Sequence, residues 1–534
     1  MKNKITLAAI ALNMALAGFQ SCTNSVPKED WKLPKIPTAT EVGQKLMPQE
    51  IVAVQAPFET IQFVRPTFKS DTLTLELSEN NMNTNTINAA IEKLSAQGGG
   101  VLVVPQGEWA TGRVELKSNV NLHIPAGAAL KFSSWVKDYQ PAVFTRNEGV
   151  ELMSMGSCIY ANAQDNIAIT GSGKLIGPGS EPGDIIDRIE KSSVIENVIS
   201  AETPVVDRIY DGNQPSGTIF PPMFISPINC TRVFIEGVNL SHTVFWNIVP
   251  VYCDNVIIRG ISVNSVGVPR GDGIDVESTS NVLIEYCTLS CGDDCFTMKA
   301  GRGADGIRVN KATENVVVRY CLAREGHGGI TCGSETAGWV RNLYVHDCVF
   351  DNTGVGVRFK TRRSRAGGGD NLIYERIRMN LNATAFKFDM LGQALYVGKL
   401  AERLPALPID ELTPAYRNVV AKDFIIEKCT HFVNVIGIPE MPMTNLHLEN
   451  MEVLEASRGI FKSADLDGVQ LKNINIATSD SLINLLDTRN VLFENVKVKQ
   501  VDSLEVKINV DGDLSKNIKF ENCESIADFQ FKLN

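Results

Sequence analysis

Apolar residues alternate with polar ones in short runs down most of this chain, and one seven-residue phrase returns again and again. Asn255-Val-Ile-Ile-Arg-Gly-Ile261 is followed by the phrases 281–287, 315–321, 342–348 and 371–377, and later by 445–451, 490–496 and 517–523. The asparagines from 255 to 371 lie 26, 34, 27 and 29 residues apart. Each phrase has the two-residue period of a half-buried strand. Strands recurring at this interval, without long helices between them, predict an all-β fold: a single-stranded solenoid of parallel coils. Stacking would set equivalent residues about 4.8 Å apart, and asparagine at each corner suits either a side-chain ladder or a left-handed backbone.

The residue six positions after each asparagine is Ile, Cys, Cys, Cys, Ile, Met, Val and Cys in turn. Cysteine exchanging with these residues at one repeat position reads as a small buried hydrophobe. Packing is therefore expected for Cys287, Cys321 and Cys348, against the alternative of a disulfide framework. A solenoid also needs its end covered. The pattern over 86–97 predicts an amphipathic helix with Ile87, Ile91 and Leu94 on one face. Thr84 or Asn85 would cap it, Gly98-Gly99-Gly100 would stop it, and it would plug the N-terminal end. Two stretches interrupt the rhythm, 176–217 and 388–418. They read either as bulges or as loops on a binding face.

Residues 1–21 read as an export signal: Lys2 and Lys4 precede an apolar run from Ile5 to Ala17 that is too short to span a bilayer. Cys22 follows directly, and the next cysteine is Cys158. A lone cysteine there resembles the lipidation site of bacterial lipoproteins, although Phe19 stands where leucine is usual. Simple secretion is the alternative. The expected layout is a signal over 1–21, a lipid-anchored tether over 22–50 and one solenoid domain over 51–534. It implies an exported outer-membrane lipoprotein of a Gram-negative bacterium, monomeric, touching membrane only through its lipid.

Composition narrows the chemistry. The 534 residues hold 51 Lys and Arg against 61 Asp and Glu, a net charge of −10. That balance argues against a nucleic-acid partner. Four sets of polar residues fall at similar distances from the repeat asparagines: Arg270-Gly-Asp272 with Asp275, Gly292-Asp293-Asp294, Gly326-His327-Gly328 and Arg358-Phe-Lys360. Stacked coils would gather them into one patch. Crowded carboxylates repel, so at least one should hold its proton, and an ionised acid facing a protonated one suits glycoside hydrolysis. A metal site and a solvated acidic face are the other readings of paired acids; no cofactor or metal is called for. From 358 to 365 five of eight residues are cationic, which suits a substrate bearing carboxylates, or a basic corner paired with the protein's own acids. Trp246 would floor a sugar subsite or pack in the core.

The four sets in this order resemble glycoside hydrolase family 28, the polygalacturonases and their exo-acting relatives. The family's motifs are Asn-Thr-Asp, Gly/Gln-Asp-Asp, Gly-His-Gly and Arg-Ile-Lys, and a weaker likeness extends over about 80–530. The resemblance implies a right-handed parallel β-helix that hydrolyses α-1,4-galacturonosyl bonds in pectin or its oligosaccharides with inversion. It makes Asp293 the general acid, Asp272 and Asp294 the pair that activates water, and His327 the residue that tunes the acid. Arg358 and Lys360 would bind galacturonate carboxylates. Arg270-Gly271 departs from the family's Asn-Thr. Stacking at about 4.8 Å is nearer the short carboxyl spacing of retaining enzymes. The rivals are a rhamnogalacturonan or other uronide hydrolase of the same family, a polysaccharide lyase and a non-catalytic adhesin. Exo action is favoured if the two insertions wall one end of the groove.

Overall fold

The computed structural model describes residues 31–524 and 526, apart from Asn80, Lys191, Ser192, Ala201 and 501–504. The expected signal and Cys22 lie outside the described residues. Strands stack in parallel, coil upon coil, into a right-handed parallel β-helix. The repeat phrases lie in register: Val256 pairs with Val282, then Val316, Leu343, Leu372, Val419 and Leu446 in turn. Their side chains enter one continuous core that runs the length of the solenoid.

The repeat asparagines do two jobs at the corner. All eight have left-handed backbones, with φ between 51° and 59°. Asn is the non-glycine residue that accepts this conformation most readily. Their side chains also form a ladder: Asn342 donates to Asn315 at 2.9 Å and Asn371 to Asn342 at 2.8 Å. Similar rungs join Asn445 to Asn418 and Asn517 to Asn490. The ladder satisfies amide groups that the stacking hides from water.

Ten of the eleven described cysteines are buried, and none is in a disulfide. Cys287, Cys321 and Cys348 occupy consecutive coils and are fully buried. Thiol titration of denatured, non-reduced protein should therefore find most cysteines free, and three or more disulfides would contradict this core.

The capping helix spans Thr84–Ala96 and buries Ile87, Ile91 and Leu94 as expected. Its start differs from the expected one. Asn83 is the N-cap residue, and its side chain bonds Ser78 and Ala110 instead of the helix. Thr84 accepts the Gly112 backbone N–H. The cap residues thus tie the helix to the first coils, which local sequence spacing does not reveal.

Residues 36–68 run along the outer wall. Val42 packs on Leu322 and Val349, and Phe63 on Phe234, Ile257, Leu283 and Val317. Beneath them lies a buried charge ladder: Glu285 pairs with Arg259 at 2.8 Å and with Arg319 at 2.7 Å. Arg259 also donates to the Pro48 carbonyl and Arg319 to the Val52 carbonyl. Residues 36–50, expected within the tether, thus pack against the helix, where Pro48, Gln49 and Glu50 carbonyls take donors of Arg259 that its carboxylate partners leave over. Sequence periodicity cannot show this, since the wall segment has none.

Both rhythm-breaking stretches are excursions from the coils. The first carries short helices at Ile185–Arg188 and Ser193–Ser200, and the second one at Ala394–Val397. The second is shorter than expected, since strands continue to Asp389 and resume at Ala415. A further excursion, an antiparallel hairpin of Val143–Asn147 and Val150–Ser154, was not expected from the repeat.

Candidate active site

Four parallel strands present the polar sets: β1 (Ile274–Glu277), β2 (Phe296–Lys299), β3 (Leu322–Cys332) and β4 (Val349–Lys360). Ile274 pairs with Phe296, Phe296 with Ile330 and Ile330 with Val357, and all four fill the core. The two-residue strand period then turns Arg358 and Lys360 to the outer face. Asp272 and the Asp293–Asp294 pair sit in the turns just before β1 and β2. One oxygen from each of these three aspartates lies within 4.8 Å of the others. Gly328 is required here, because a Cβ at that position would stand 2.6 Å from an Asp294 oxygen.

All six expected residues converge. His327 Nδ1 lies 3.0 Å from Asp293 Oδ1, while Arg358 and Lys360 donate to Asp294 at 3.0 and 2.6 Å. They line a cleft of about 350 Å³; Asp294 lies just beneath its floor. Asp293 is the most exposed of the three acids, its side chain at 23% against 4% for Asp272 and 0% for Asp294.

The electrostatics separate the acids. Burial pushes Asp272 well above the carboxylate range, and the neighbouring Asp275 and Asp293 add to the effect. Burial would raise Asp294 as well, but Lys360 and Arg358 outweigh it and hold Asp294 ionised well below that range. His327 is raised by its bond to Asp293, which favours the imidazolium. Three carboxylates at this spacing also have the makings of a cation site. Here the counter-charge already comes from the protein: Arg358 and Lys360 on Asp294, and Lys299 at 3.8 Å from Asp272.

Lys299 was missed. Its Nζ lies 3.2 Å from Glu335 and 3.5 Å from Asp275, and stands 4.3 Å above the Trp246 ring. Its signal was present, because Thr297 and Lys299 alternate with the core residues Phe296 and Met298 directly after Asp293–Asp294. Trp246 itself is 97% buried, stacked on Phe245, yet it borders the cleft through that ammonium. It both packs and lines. Glu148, at the tip of the unexpected hairpin, pairs with Arg270 and Arg302 at 2.9 Å each. Arg270 also holds Glu190 at 2.7 Å. The arginine that departs from the family motif therefore ties the hairpin and the first excursion to the cleft wall. No local sequence signal marks such pairings.

The basic run divides. Arg363 is buried against Glu440, and Arg365 reaches Glu196, so these two serve the protein's own acids. Glu196 from the first excursion and Gln393 and Tyr396 from the second line the cleft. Both insertions thus lie on the functional face.

Comparison with known proteins agrees with this geometry. Residues 211–387, which contain all four polar sets, match the model of glycosyl hydrolases family 28. The chain is 25% identical over 402 residues to a probable polygalacturonase of Vitis vinifera, covering 73% of this chain and 75% of the relative. It is 24% identical over 431 residues to an exo-poly-alpha-D-galacturonosidase of Dickeya chrysanthemi, covering 77% and 69%. Among solved structures, a hyperthermoactive exopolygalacturonase from Thermotoga maritima superposes with a TM-score of 0.66 at 29% identity, covering 75% of this chain and 90% of that one. A family 28 exopolygalacturonase of Yersinia enterocolitica shares the fold, with a TM-score of 0.58 at 19% identity, covering 87% and 79%. The four polar sets thus converge on one cleft of a β-helix, within the stretch that matches glycosyl hydrolases family 28, and the chain is a glycosidase.

Proposed function

We propose that the protein hydrolyses α-1,4-galacturonosyl linkages of polygalacturonate or pectin oligosaccharides, acting from a chain end and with inversion. One observation carries the reading: three aspartates meet at one point, one facing His327 and another held by Arg358 and Lys360. Asp293, the acid most open to the cleft, protonates the glycosidic oxygen. His327, bonded to Asp293, orients and tunes this acid. Asp294, kept ionised by its two cations, and Asp272 orient and deprotonate the attacking water. Arg358 and Lys360 retain exposed donors and bind a sugar carboxylate while holding Asp294. End-wise attack is supported by the two excursions that wall the cleft.

One observation favours a second division of labour. Burial raises Asp272, whereas Lys360 and Arg358 hold Asp294 down, and in glycosidases a raised carboxyl commonly serves as the acid. The close approach of the acids by itself fits a retaining geometry, so inversion rests on the likeness to the family. Time-resolved chromatography and proton NMR of polygalacturonate digests test the whole reading. Monogalacturonate alone, first appearing as the β anomer, is expected. Mixed oligomers would mean endo action, an α anomer retention, and an unsaturated product a lyase.

We further propose export and lipidation at Cys22, with the stretch before residue 36 as tether. Palmitate should label the wild type and fail to label Cys22→Ser. An unlabelled wild type leaves plain secretion.

A further inference from the structure

Among the described residues, every cation lining the cleft but one has a carboxylate within 4.0 Å: Arg270, Lys299, Arg302, Arg358 and Lys360 are all paired. The exception is Arg362. It is 94% buried, lines the cleft, makes no ion pair, and its Nε has no acceptor. A buried guanidinium without a partner is costly to the fold.

Its position is also fixed. The guanidinium lies 4.5 Å above the Tyr396 ring. The stem also packs closely on Gly392, where φ is +74° and a Cβ would stand 3.0 Å from Arg362 Cδ. Tyr396 and Gly392 both belong to the second excursion. That loop therefore sets an aromatic ring and a backbone contact around a cation that no described acid approaches within 4.0 Å. Arg362 follows Lys360 by two residues, just past the end of β4, and lines the same cleft as the pair that holds Asp294.

We propose that Arg362, clamped by Tyr396 and Gly392, is a specificity residue that binds the carboxylate of a second uronic acid, next to the sugar held by Arg358 and Lys360. The proposal rests on the uronide-hydrolase reading above. A planar guanidinium takes a carboxylate through two parallel bonds, and its aromatic platform keeps the fork in one plane. The partner missing from the protein is then supplied by the substrate.

Binding separates this from a structural role. Trigalacturonate and its methyl ester are titrated calorimetrically into Asp293→Asn protein, with and without Arg362→Gln. Affinity for the free acid should fall about tenfold or more, the scale of one charge-assisted contact, while affinity for the ester changes little. Arg362→Lys should recover only part of the loss, because an ammonium lacks the fork. In otherwise native enzyme acting on polygalacturonate, the defect should fall in KM rather than kcat. If Arg362→Gln does not fold, as judged by its unfolding temperature, Tyr396→Ala serves instead, since its side chain is half-exposed; it should weaken free-acid binding selectively. Equal affinity with and without Arg362→Gln, or equal losses for acid and ester, would overturn the proposal. Failure of the underlying reading looks different: wild-type protein would release no product from polygalacturonate.

Discussion

Asp293→Asn should lower turnover on polygalacturonate by ~10²–10⁴, the usual range for a lost acid–base catalyst, while substrate binding is largely kept. Asparagine preserves the shape but has no acidic proton for the leaving oxygen. Binding should survive because Arg358 and Lys360, the proposed carboxylate binders, contact Asp294, not Asp293. A spectroscopic control accompanies the kinetics. The bond to Asp293 is what chiefly raises His327, so in the variant this histidine should titrate closer to its ordinary 6.5. Leaving-group chemistry then decides between the two acids. An aryl galacturonide with a good leaving group needs little protonation, so it should rescue the variant that lacks the acid and no other. Rescue of Asp293→Asn assigns the acid to Asp293. Rescue of Asp272→Asn alone transfers the role to the buried aspartate. Near-normal turnover of Asp293→Asn on polygalacturonate would remove both the acid role and its link to His327.

The residues of this argument were legible in the sequence to different depths. The asparagine phrases disclosed the coils because one residue type at each corner answers two needs, a left-handed backbone and a ladder rung. The convergence of the six candidate residues was legible for a related reason: coil stacking converts a regular sequence interval into proximity in space. Pairings that depend on excursions were not legible. Glu148 reaches Arg270 and Arg302 from a hairpin outside the repeat, and residues 36–50 find their place through carbonyl groups that satisfy buried arginines. Backbone acceptors look alike in every sequence. Of the basic run, the sequence disclosed the charge but not its allocation, because Glu440, Glu196 and Asp294 come from three distant parts of the chain.

The same dependence on an excursion underlies the largest expected change in stability, which follows Arg146→Met. Arg146 belongs to the hairpin that carries Glu148, and neither it nor Glu277 of β1 is exposed. Its Nε lies 3.5 Å from the Glu277 carboxylate, its Nη1 donates to Ser278 at 2.7 Å, and it stacks 4.8 Å from the Tyr252 ring. Removing one member of a buried pair leaves the other charge uncompensated and typically costs about 3–5 kcal/mol. The cost should depend on pH. Burial raises Glu277 from 4.5 to about 7, with Arg146 opposing that rise, and burial likewise raises Asp275 from 3.8 to about 7. A carboxyl raised on folding binds its proton more tightly in the folded chain. Its contribution is therefore complete below its unfolded value and is lost as pH rises through 7. Without Arg146, Glu277 titrates higher still, and a proton cancels the uncompensated charge. The gap in unfolding temperature between wild type and Arg146→Met should thus be wide at about pH 8 and narrow at about pH 5. Adding Glu277→Gln to Arg146→Met should close most of the gap at the higher pH, since no buried charge remains. A gap of equal width at both pH values, unrelieved by Glu277→Gln, would make Arg146 a packing residue and leave the hairpin anchored by shape alone.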